Sequence, residues 1–247
     1  MSRTSQFEQR YQTEHEPWSY SDRAAEIVRD EWIVAQVRAR GPHRLLDVGC
    51  SLGQLTNRLS VLPAEIHAID VSPTAVTRAR DVPATRPEGT RPTSFIAGSA
   101  TALPYGDCVF DVVVASDGLY SWEITPQDRQ RALGEFCRLL RPGGAVLLTE
   151  HMRQRRFAEF LAEIHDSPLK IVDVCYLYDR PWYQFESWLK AIQHWALVKA
   201  VRRNLPLARF LLRLGRLIGP SASRHICAWA ARVIQPADGG ADEMIRY

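Results

Sequence analysis

Two carboxylates and a glycine-rich turn are the first residues of the sequence whose types and spacing suit chemistry. Asp47 stands inside the stretch 45–53, where a short apolar run leads into Gly49 and Gly53. Asp70 ends the next apolar run. A turn between a strand and a helix presents backbone N–H groups to a ligand, and an acid at the tip of the second strand is placed to hold ribose hydroxyls. The pattern predicts a site for a nucleoside-containing cofactor.

Two other chemistries compete for the same turn. A dinucleotide fingerprint is not met, because the third glycine of G-x-G-x-x-G is missing. Residues 49–53 do match G-x-S-x-G, the nucleophile elbow of hydrolases, with Ser51 as the nucleophile. That fold needs an oxyanion-hole strand upstream, and the chain before residue 45 has room for about one strand. In the nucleoside interpretation, Ser51 is small enough for the turn provided that its φ is negative.

Four segments together resemble the class I S-adenosylmethionine-dependent methyltransferases. They are the turn at 45–53, the acidic loop at 69–73, the fourth strand at 110–114 and the turn into the fifth strand at 140–149. The resemblance implies that Asp70 holds the ribose, that the turn holds the methionine moiety, and that Asp47 positions the turn and the amino group. The implied cofactor site consists of Asp47, Gly49, Ser51, Gly53, Asp70, Val71, Ser99, Ala100 and Ser116. Ser51 replaces a glycine of the family pattern, and Ser99 replaces an acid.

The N-terminal segment is polar but carries four aromatic residues, Phe7, Tyr11, Trp18 and Tyr20. This arrangement is similar to the opening of the nodulation-type N-methyltransferases, which methylate the amine of a chitooligosaccharide. The resemblance implies that the segment folds over the cofactor and lines the acceptor pocket. The alternative is that the aromatic residues only pack the first helix onto the sheet.

Polar residues at the ends of strands four and five are the candidates for catalysis. The carboxyl ends of parallel strands face the ligand crevice, so residues 116–123 and His151 are expected beside the acceptor. His151 suits a general base because histidine titrates near neutral pH, although a structural histidine bonded to backbone is the alternative. Asp117 is displaced by one position from the family pattern. The candidates are His151, Tyr120, Asp117 and Glu123. No metal is expected, because neither acid-rich nor histidine-rich ligand spacing is present.

Composition and periodicity predict an α/β fold. The 247 residues are 46% hydrophobic and 24% charged, as in a globular domain, and five dispersed cysteines indicate reduced thiols in a cytoplasm. The predicted architecture is a doubly wound, Rossmann-like, mostly parallel sheet of seven strands, with a helical insertion between strands six and seven. The expected single domain divides into a cap segment and helix at 1–40, a cofactor-binding core at 41–178, a basic insertion at 179–220 and a last strand and tail at 221–247. Local signals predict a helix over 22–40 capped by Ser21, a surface loop over 83–92 and a polar tail over 236–247.

The C-terminal third is basic. Between Ser187 and Ala237 there are nine Lys or Arg residues and no acid, which leaves 22 basic and 28 acidic residues elsewhere. One predicted helix carries an apolar stripe of Leu207, Phe210, Leu211, Leu214 and Ile218 beside a basic stripe of Arg209, Arg213 and Arg216. Such a helix, within the basic region 190–232, suggests docking on an anionic membrane, a grip on an anionic acceptor or carrier protein, or a solvated face. Nothing in the sequence resembles a nucleic-acid-binding module.

The sequence therefore predicts transfer of a methyl group from S-adenosylmethionine to a small molecule. The resemblance favours an amine, such as an amino sugar of a natural-product pathway, and S-adenosylhomocysteine is the expected product. O-methylation of a secondary metabolite is the alternative, and a non-catalytic subunit that docks through its basic helix is a further one. A monomer or a homodimer is expected.

Overall fold

Seven strands form one sheet that runs through the described chain. The computed structural model describes residues 3–18, 20, 23–82, 93–121, 124–191 and 195–233. The strands are β1 Arg44–Val48, β2 Glu65–Asp70, β3 Ser94–Ala97, β4 Phe110–Ser116, β5 Leu140–His151, β6 Leu169–Leu177 and β7 His225–Arg232. Their spatial order is β3-β2-β1-β4-β5-β7-β6. Only β7 runs antiparallel to its neighbours, so the predicted class I topology is confirmed.

The central strands are apolar in continuous runs because both faces of the sheet are buried. In β1, Leu46 packs into a cluster on one face and Leu45 into a cluster on the other. Val113 and Val112 of β4 divide between the same two clusters. A sheet covered by helices on both faces needs no polar alternation, which explains why the runs identified the strands.

Nine helices are described in the covered ranges of the chain. They are α1 Arg3–Thr13, α2 Ala24–Arg40, α3 Gln54–Leu59, α4 Pro73–Asp81, α5 Pro126–Leu139, α6 Phe157–His165, α7 Arg180–Ala191, α8 Trp195–Arg202 and α9 Leu205–Ile218. None of them is both long and apolar enough to cross a bilayer.

Local capping chemistry fixes several helix ends as the sequence predicts. The Ser72 hydroxyl accepts a hydrogen bond from the Ala75 N–H at 3.0 Å, ahead of Pro73 in the first turn of α4. α2 ends at Gly41, which adopts the left-handed conformation with φ 56°. The predicted cap Ser21, the loop 83–92 and the tail 236–247 lie outside the described residues.

The insertion between β6 and β7 consists of α7, α8 and α9. Trp182 of α7 is fully buried and packs with Ala208 of α9 against Ala24 and Ala25 at the start of α2. The predicted apolar stripe of α9 is only partly a core stripe. Leu207 and Leu211 contact this cluster, whereas the other three members are exposed: Phe210, Leu214 and Ile218.

Gly215 lets α9 approach the end of β6 closely. A Cβ atom at this position would lie 2.3 Å from the backbone oxygen of Tyr178. We therefore expect Gly215→Ala to lower the free energy of unfolding by about 1–3 kcal/mol, because backbone must move to admit the methyl group. Urea unfolding followed by circular dichroism measures the change.

Gly134→Ala is the matched control. Gly134 lies inside α5, and a Cβ atom there would meet nothing within 4 Å. Alanine is expected to raise the free energy of unfolding by about 0.5–1 kcal/mol, because it reduces the backbone freedom of the unfolded chain. Equal effects of the two substitutions would contradict the close approach at Gly215.

Candidate functional site

A cavity of about 320 Å³ opens at the carboxyl edge of the sheet, above β1, β2 and β4. Seven of the nine residues predicted to bind the cofactor line it: Gly49, Ser51, Asp70, Val71, Ser99, Ala100 and Ser116. Asp47 and Gly53 do not line this cavity. The structure thus brings most of the predicted site to one place, and the cofactor roles of the residues stay predictions.

Ser51 adopts a backbone conformation that favours glycine. Its φ is 51°, in the left-handed region, so the condition of a negative φ, under which serine would fit the turn without strain, is not met. Two hydrogen bonds offset the strain, since the Ser51 N–H donates to Asp70 Oδ2 at 2.8 Å and its hydroxyl accepts from Tyr11 at 2.6 Å. No histidine among the described residues contacts Ser51, which speaks against a nucleophile elbow.

Asp70 has the geometry expected of a ribose-binding acid. Its second oxygen accepts the Ser72 N–H at 2.9 Å, and only 7% of the residue is exposed. Burial raises the pKa of Asp70, and the backbone donors from Ser72 and Ser51 oppose that rise. A carboxylate can accept about four hydrogen bonds, so both oxygens retain capacity for a ligand hydroxyl.

Asp47 and Gly53 hold the turn at 45–53 against α3 and α4. The Thr56 hydroxyl donates to Asp47 Oδ2 at 2.6 Å, and burial raises the pKa of Asp47 to about 7. Asp47 therefore fixes α3 to β1, beside a small cavity of about 30 Å³. Gly53 has φ 78°, and a Cβ atom there would lie 3.2 Å from the Ala79 Cβ, so its role is close packing against α4.

The N-terminal segment closes the first cavity. All four of its aromatic residues line the cavity wall: Phe7, Tyr11, Trp18 and Tyr20. The Trp18 indole donates to the Tyr11 hydroxyl at 2.9 Å, and that hydroxyl donates onward to Ser51. On α1, Glu8 accepts the Ser72 hydroxyl at 2.6 Å. The segment is therefore tied to both loops that surround the cavity.

A second cavity of about 240 Å³ adjoins the first. The two share Trp18, Tyr20, Asp117 and Ser121. Three predicted catalytic residues line the second cavity, namely Asp117, Tyr120 and His151. The fourth, Glu123, lies outside the described residues. Four lining residues that carry polar groups were not predicted from the sequence: Arg23, Glu26, Glu150 and Tyr183.

Asp117 is held between two cations. Arg29 of α2 contacts its Oδ2 atom, and His225 Nε2 lies 3.1 Å from the same oxygen. Asp179 contacts the other ring nitrogen of His225. Burial alone would raise the pKa of Asp117, but Arg29 and His225 hold it well below its usual range. Burial likewise would lower the pKa of His225, but Asp117 and Asp179 raise it to about 10.

This ion chain also brings together atoms with the chemistry of metal ligands. Oxygen or nitrogen atoms of Glu26, Asp117 and His225 lie within 4.8 Å of one another, although their sequence spacing gives no such signal. Arg29 Nη1 contacts Glu26 at 2.7 Å and also contacts Asp117. Because His225 is protonated as well, the negative charge of the cluster is already balanced by side chains.

Glu150 shapes the loop that carries Asp117 and Tyr120. Its Oε1 atom accepts the Leu119 N–H at 2.9 Å and the Tyr120 N–H at 3.2 Å. The residue is 4% exposed, and burial together with the charge of Asp117 raises its pKa to about 8. Near neutral pH this carboxyl is therefore largely protonated in the folded protein.

His151 is suited to act as a general base near neutral pH, and Tyr120 is not. His151 is exposed at the cavity rim, with its ring centroid 4.8 Å from that of His225 and 4.9 Å from that of Tyr183. Partial burial and the cation at His225 lower the pKa of His151, so it is neutral at pH 7 and can accept a proton. Burial and the neighbouring Glu163 raise the pKa of Tyr120, so its phenol stays protonated.

The raised pKa of Glu150 predicts a specific pH dependence of stability. Its ordinary value is 4.5 and its folded value about 8, so the folded state binds the proton more tightly and loses stability as pH rises between the two. Relative to Glu150→Gln, we expect the free energy of unfolding of the wild type to fall across this window, by at most about 1.4 kcal/mol per pH unit. Glutamine keeps an oxygen to accept the two N–H groups. Parallel curves from urea unfolding at several pH values would contradict the raised pKa.

Comparisons with known sequences agree with this geometry. Residues 46–148 match the family described as a methyltransferase domain. An uncharacterised methyltransferase of Synechocystis sp. is 33% identical over 108 residues, which cover 43% of this chain and 46% of that protein. The demethylmenaquinone methyltransferase of Clavibacter sepedonicus is 32% identical over 122 residues, which cover 48% of this chain and 46% of that protein. The chain thus spans a little under half the length of these relatives.

Solved structures share the whole architecture. The cyclase SpnF superposes with a TM-score of 0.59 at 25% identity, over 83% of this chain and 82% of that one. The N-methyltransferase NodS from Bradyrhizobium japonicum WM9, in complex with S-adenosylhomocysteine, gives a TM-score of 0.61 at 16% identity, over 95% of this chain and 100% of that one. At such identity the likeness to NodS establishes the fold alone. Residues 46–148 therefore match a methyltransferase domain, within a chain that has the fold of the class I, S-adenosylmethionine-dependent methyltransferases.

Proposed function

We propose that this protein transfers a methyl group from S-adenosylmethionine to an amine of a small molecule bound in the second cavity. The observation that carries the proposal is the junction of the two cavities at Asp117, with a cofactor-type turn on one side and carboxylates with aromatic walls on the other. A cofactor cavity that opens directly onto an acceptor cavity allows an in-line transfer, for which alignment of the reacting groups is the main requirement.

The first cavity fits S-adenosylmethionine. Asp70 offers carboxylate oxygens to ribose hydroxyls at the tip of β2. Gly49 has no atom within 4 Å of where its Cβ would stand, so the turn leaves space for a ligand against the backbone. Ser99 and Thr101, whose hydroxyls lie 2.8 Å apart, are the polar groups after β3 that would face the adenine. When bound there, the cofactor supplies an electrophilic methyl group on a sulfonium centre.

The residues of the second cavity would orient the amine and remove its proton. Asp117 Oδ1 is buried and has no hydrogen-bond partner among the described residues, so it is free to accept an N–H of the acceptor. The neutral imidazole of His151 would take the proton that the amine loses as its nitrogen forms the bond to carbon. The rings of Trp18, Tyr20 and Tyr183 would enclose the acceptor and limit access of water.

An amine suits the second cavity because it brings several N–H donors. Carboxyl groups of Glu26, Asp117 and Glu150 line the cavity and offer acceptors to those donors, beside faces of aromatic rings that attract cations, and Arg23 also lines it. The resemblance of the N-terminal segment to the nodulation-type N-methyltransferases is the basis for proposing an amino sugar of a natural-product pathway, and the N-methyltransferase NodS has the same fold. Five cysteines without disulfides support a cytoplasmic location, and we expect a monomer or a homodimer.

An aromatic hydroxyl is the second candidate acceptor. The aromatic walls of the second cavity favour a planar ring. A non-catalytic subunit that docks through its basic helix is the further alternative. The same fold occurs in a protein described as a cyclase, so the fold alone does not specify methyl transfer.

Two binding measurements test the cofactor. Calorimetry is expected to show binding of S-adenosylhomocysteine and none of NAD. Asp70→Ala is expected to weaken the affinity for S-adenosylhomocysteine at least tenfold, or about 1.4 kcal/mol, because ribose hydroxyls lose a charged acceptor. Asp111→Ala is the control, since this acid lies at the opposite end of the sheet and bonds to the His43 and Arg44 N–H groups at 2.8 Å. An unchanged affinity in Asp70→Ala would remove Asp70 from the site.

A screen with isotope-labelled S-adenosylmethionine tests the acceptor. Amino sugars and other amines are expected to become labelled, and phenols and quinols are included to detect the second candidate. Binding of S-adenosylhomocysteine without labelling of any acceptor class would support the non-catalytic alternative.

His151→Asn tests the base. With the acceptor found in the screen, we expect kcat to fall about 100-fold while the affinity for S-adenosylhomocysteine stays unchanged. The wild-type rate is expected to rise with pH through a pKa below the ordinary value of 6.5, because His151 must be neutral. A variant that keeps this pH profile would assign the base to another group.

A further inference from the structure

Among the described residues, the large apolar side chains with the highest exposed fractions lie in the helical insertion between β6 and β7. The four most exposed large apolar residues all lie in it, namely Leu217 at 85%, Phe210 and Ile218 at 60%, and Trp188 at 57%. Single exposed apolar residues are ordinary on protein surfaces, but a contiguous set marks an interaction site. Three of these four lie on α9.

The outward side of α9 is itself apolar along one stripe. Ala208 and Gly215 face the protein and are buried. Phe210, Leu214 and Leu217 follow one another at i, i+4 and i+7, which places them in a row along the helix, and all three are exposed. A helix that only covered the core would carry polar residues there.

Arginines form a second row beside the apolar one. Arg209, Arg213 and Arg216 have the same spacing, displaced by one residue, so the two rows lie side by side on the outward surface. Arg209 pairs with Glu31 of α2 at 2.8 Å. Arg213 and Arg216 form no ion pair with any residue that the structure describes, so their guanidinium groups are available to a partner.

The positive charge of this region favours an anionic binding partner. Nine basic residues and no acid lie between Ser187 and Ala237. A second copy of the chain would bring an equally acid-free segment to the interface, and like charges disfavour that contact. Guanidinium groups bind phosphate through paired N–H donors, and a helix with one apolar and one arginine row matches the boundary between acyl chains and phosphates in a bilayer.

We propose that α9 docks this protein on a bilayer that contains anionic phospholipids. The row of Phe210, Leu214 and Leu217 enters the acyl boundary, and Arg213 and Arg216 bind lipid phosphates. α9 packs against α2 and α7, and these two helices contribute Glu26 and Tyr183 to the second cavity. Docking therefore holds that cavity one layer of helices away from the lipid surface. The proposal does not depend on methyl transfer.

Co-sedimentation with vesicles tests the proposal. The full chain is expected to bind phosphatidylcholine vesicles that contain about 30 mol% phosphatidylglycerol, and not vesicles of phosphatidylcholine alone, at about 0.1 M salt. Phe210→Ser/Leu217→Ser is expected to weaken binding at least tenfold through lost apolar burial. Arg213→Gln/Arg216→Gln is expected to weaken it roughly 30-fold, because each basic side chain near an anionic surface contributes a factor of about five.

Matched controls separate docking from general charge and from folding. Arg153→Gln/Arg155→Gln removes the same charge from exposed positions before α6, and Val172→Ser removes an exposed apolar side chain of β6. Both controls are expected to bind anionic vesicles like the wild type, and every variant is expected to keep the wild-type affinity for S-adenosylhomocysteine. Failure of the wild type to bind, or an equal loss in the controls, would overturn the proposal. A dimer in solution that Phe210→Ser/Leu217→Ser converts to a monomer would assign the face to a second copy instead.

Discussion

The second cavity of this protein depends on one buried chain of charges. It runs from Asp179 through His225 to Asp117, and onward through Arg29 to Glu26. These five residues come from α2, the end of β4, the end of β6 and the start of β7, so the chain joins parts of the sequence that are far apart. Removing one member would leave a buried charge without its partner, which costs far more than the pair contributes. The position of Asp117 is therefore fixed by the whole fold.

That constraint explains the backbone at Asp117. Its φ is 53°, in a region that non-glycine residues seldom adopt. Asp117 shares this property with Ser51, and both residues line the first cavity. In each case side-chain or backbone hydrogen bonds hold the strained conformation, and in each case the residue stands at the carboxyl end of a central strand. Two of the three described non-glycine residues with positive φ thus lie where the first cavity meets the sheet, and the third, Cys108, precedes β4.

The sequence was sufficient for the fold and for bringing most of the predicted cofactor residues to one cavity, because both depend on local signals. Apolar runs marked the strands, and the turn at 45–53 and Asp70 lie within about twenty residues of each other. The second cavity could not be predicted in the same way. Arg29 and Glu26 lie in α2, whose sequence pattern predicts only a helix packed on the core. His225 reaches Asp179 because β7 runs antiparallel beside β6. Glu150 is next to the predicted His151, but strand alternation alone did not show that its carboxyl is buried under the 117–120 loop.

Two adjacent residues at the end of β6 serve two different parts of the molecule. The backbone oxygen of Tyr178 lies directly against Gly215 of α9, where no Cβ atom would fit. The Asp179 carboxylate accepts the Arg224 N–H at 2.8 Å and contacts the His225 ring. α9 and the buried chain of charges are therefore both held by neighbouring residues, Tyr178 and Asp179. A bulky label, a crosslink or a fused tag that displaces α9 would also disturb Tyr178, and through the next residue, Asp179, the contact with His225. Probes attached to this helix are therefore expected to report on the second cavity as well as on the surface that carries them.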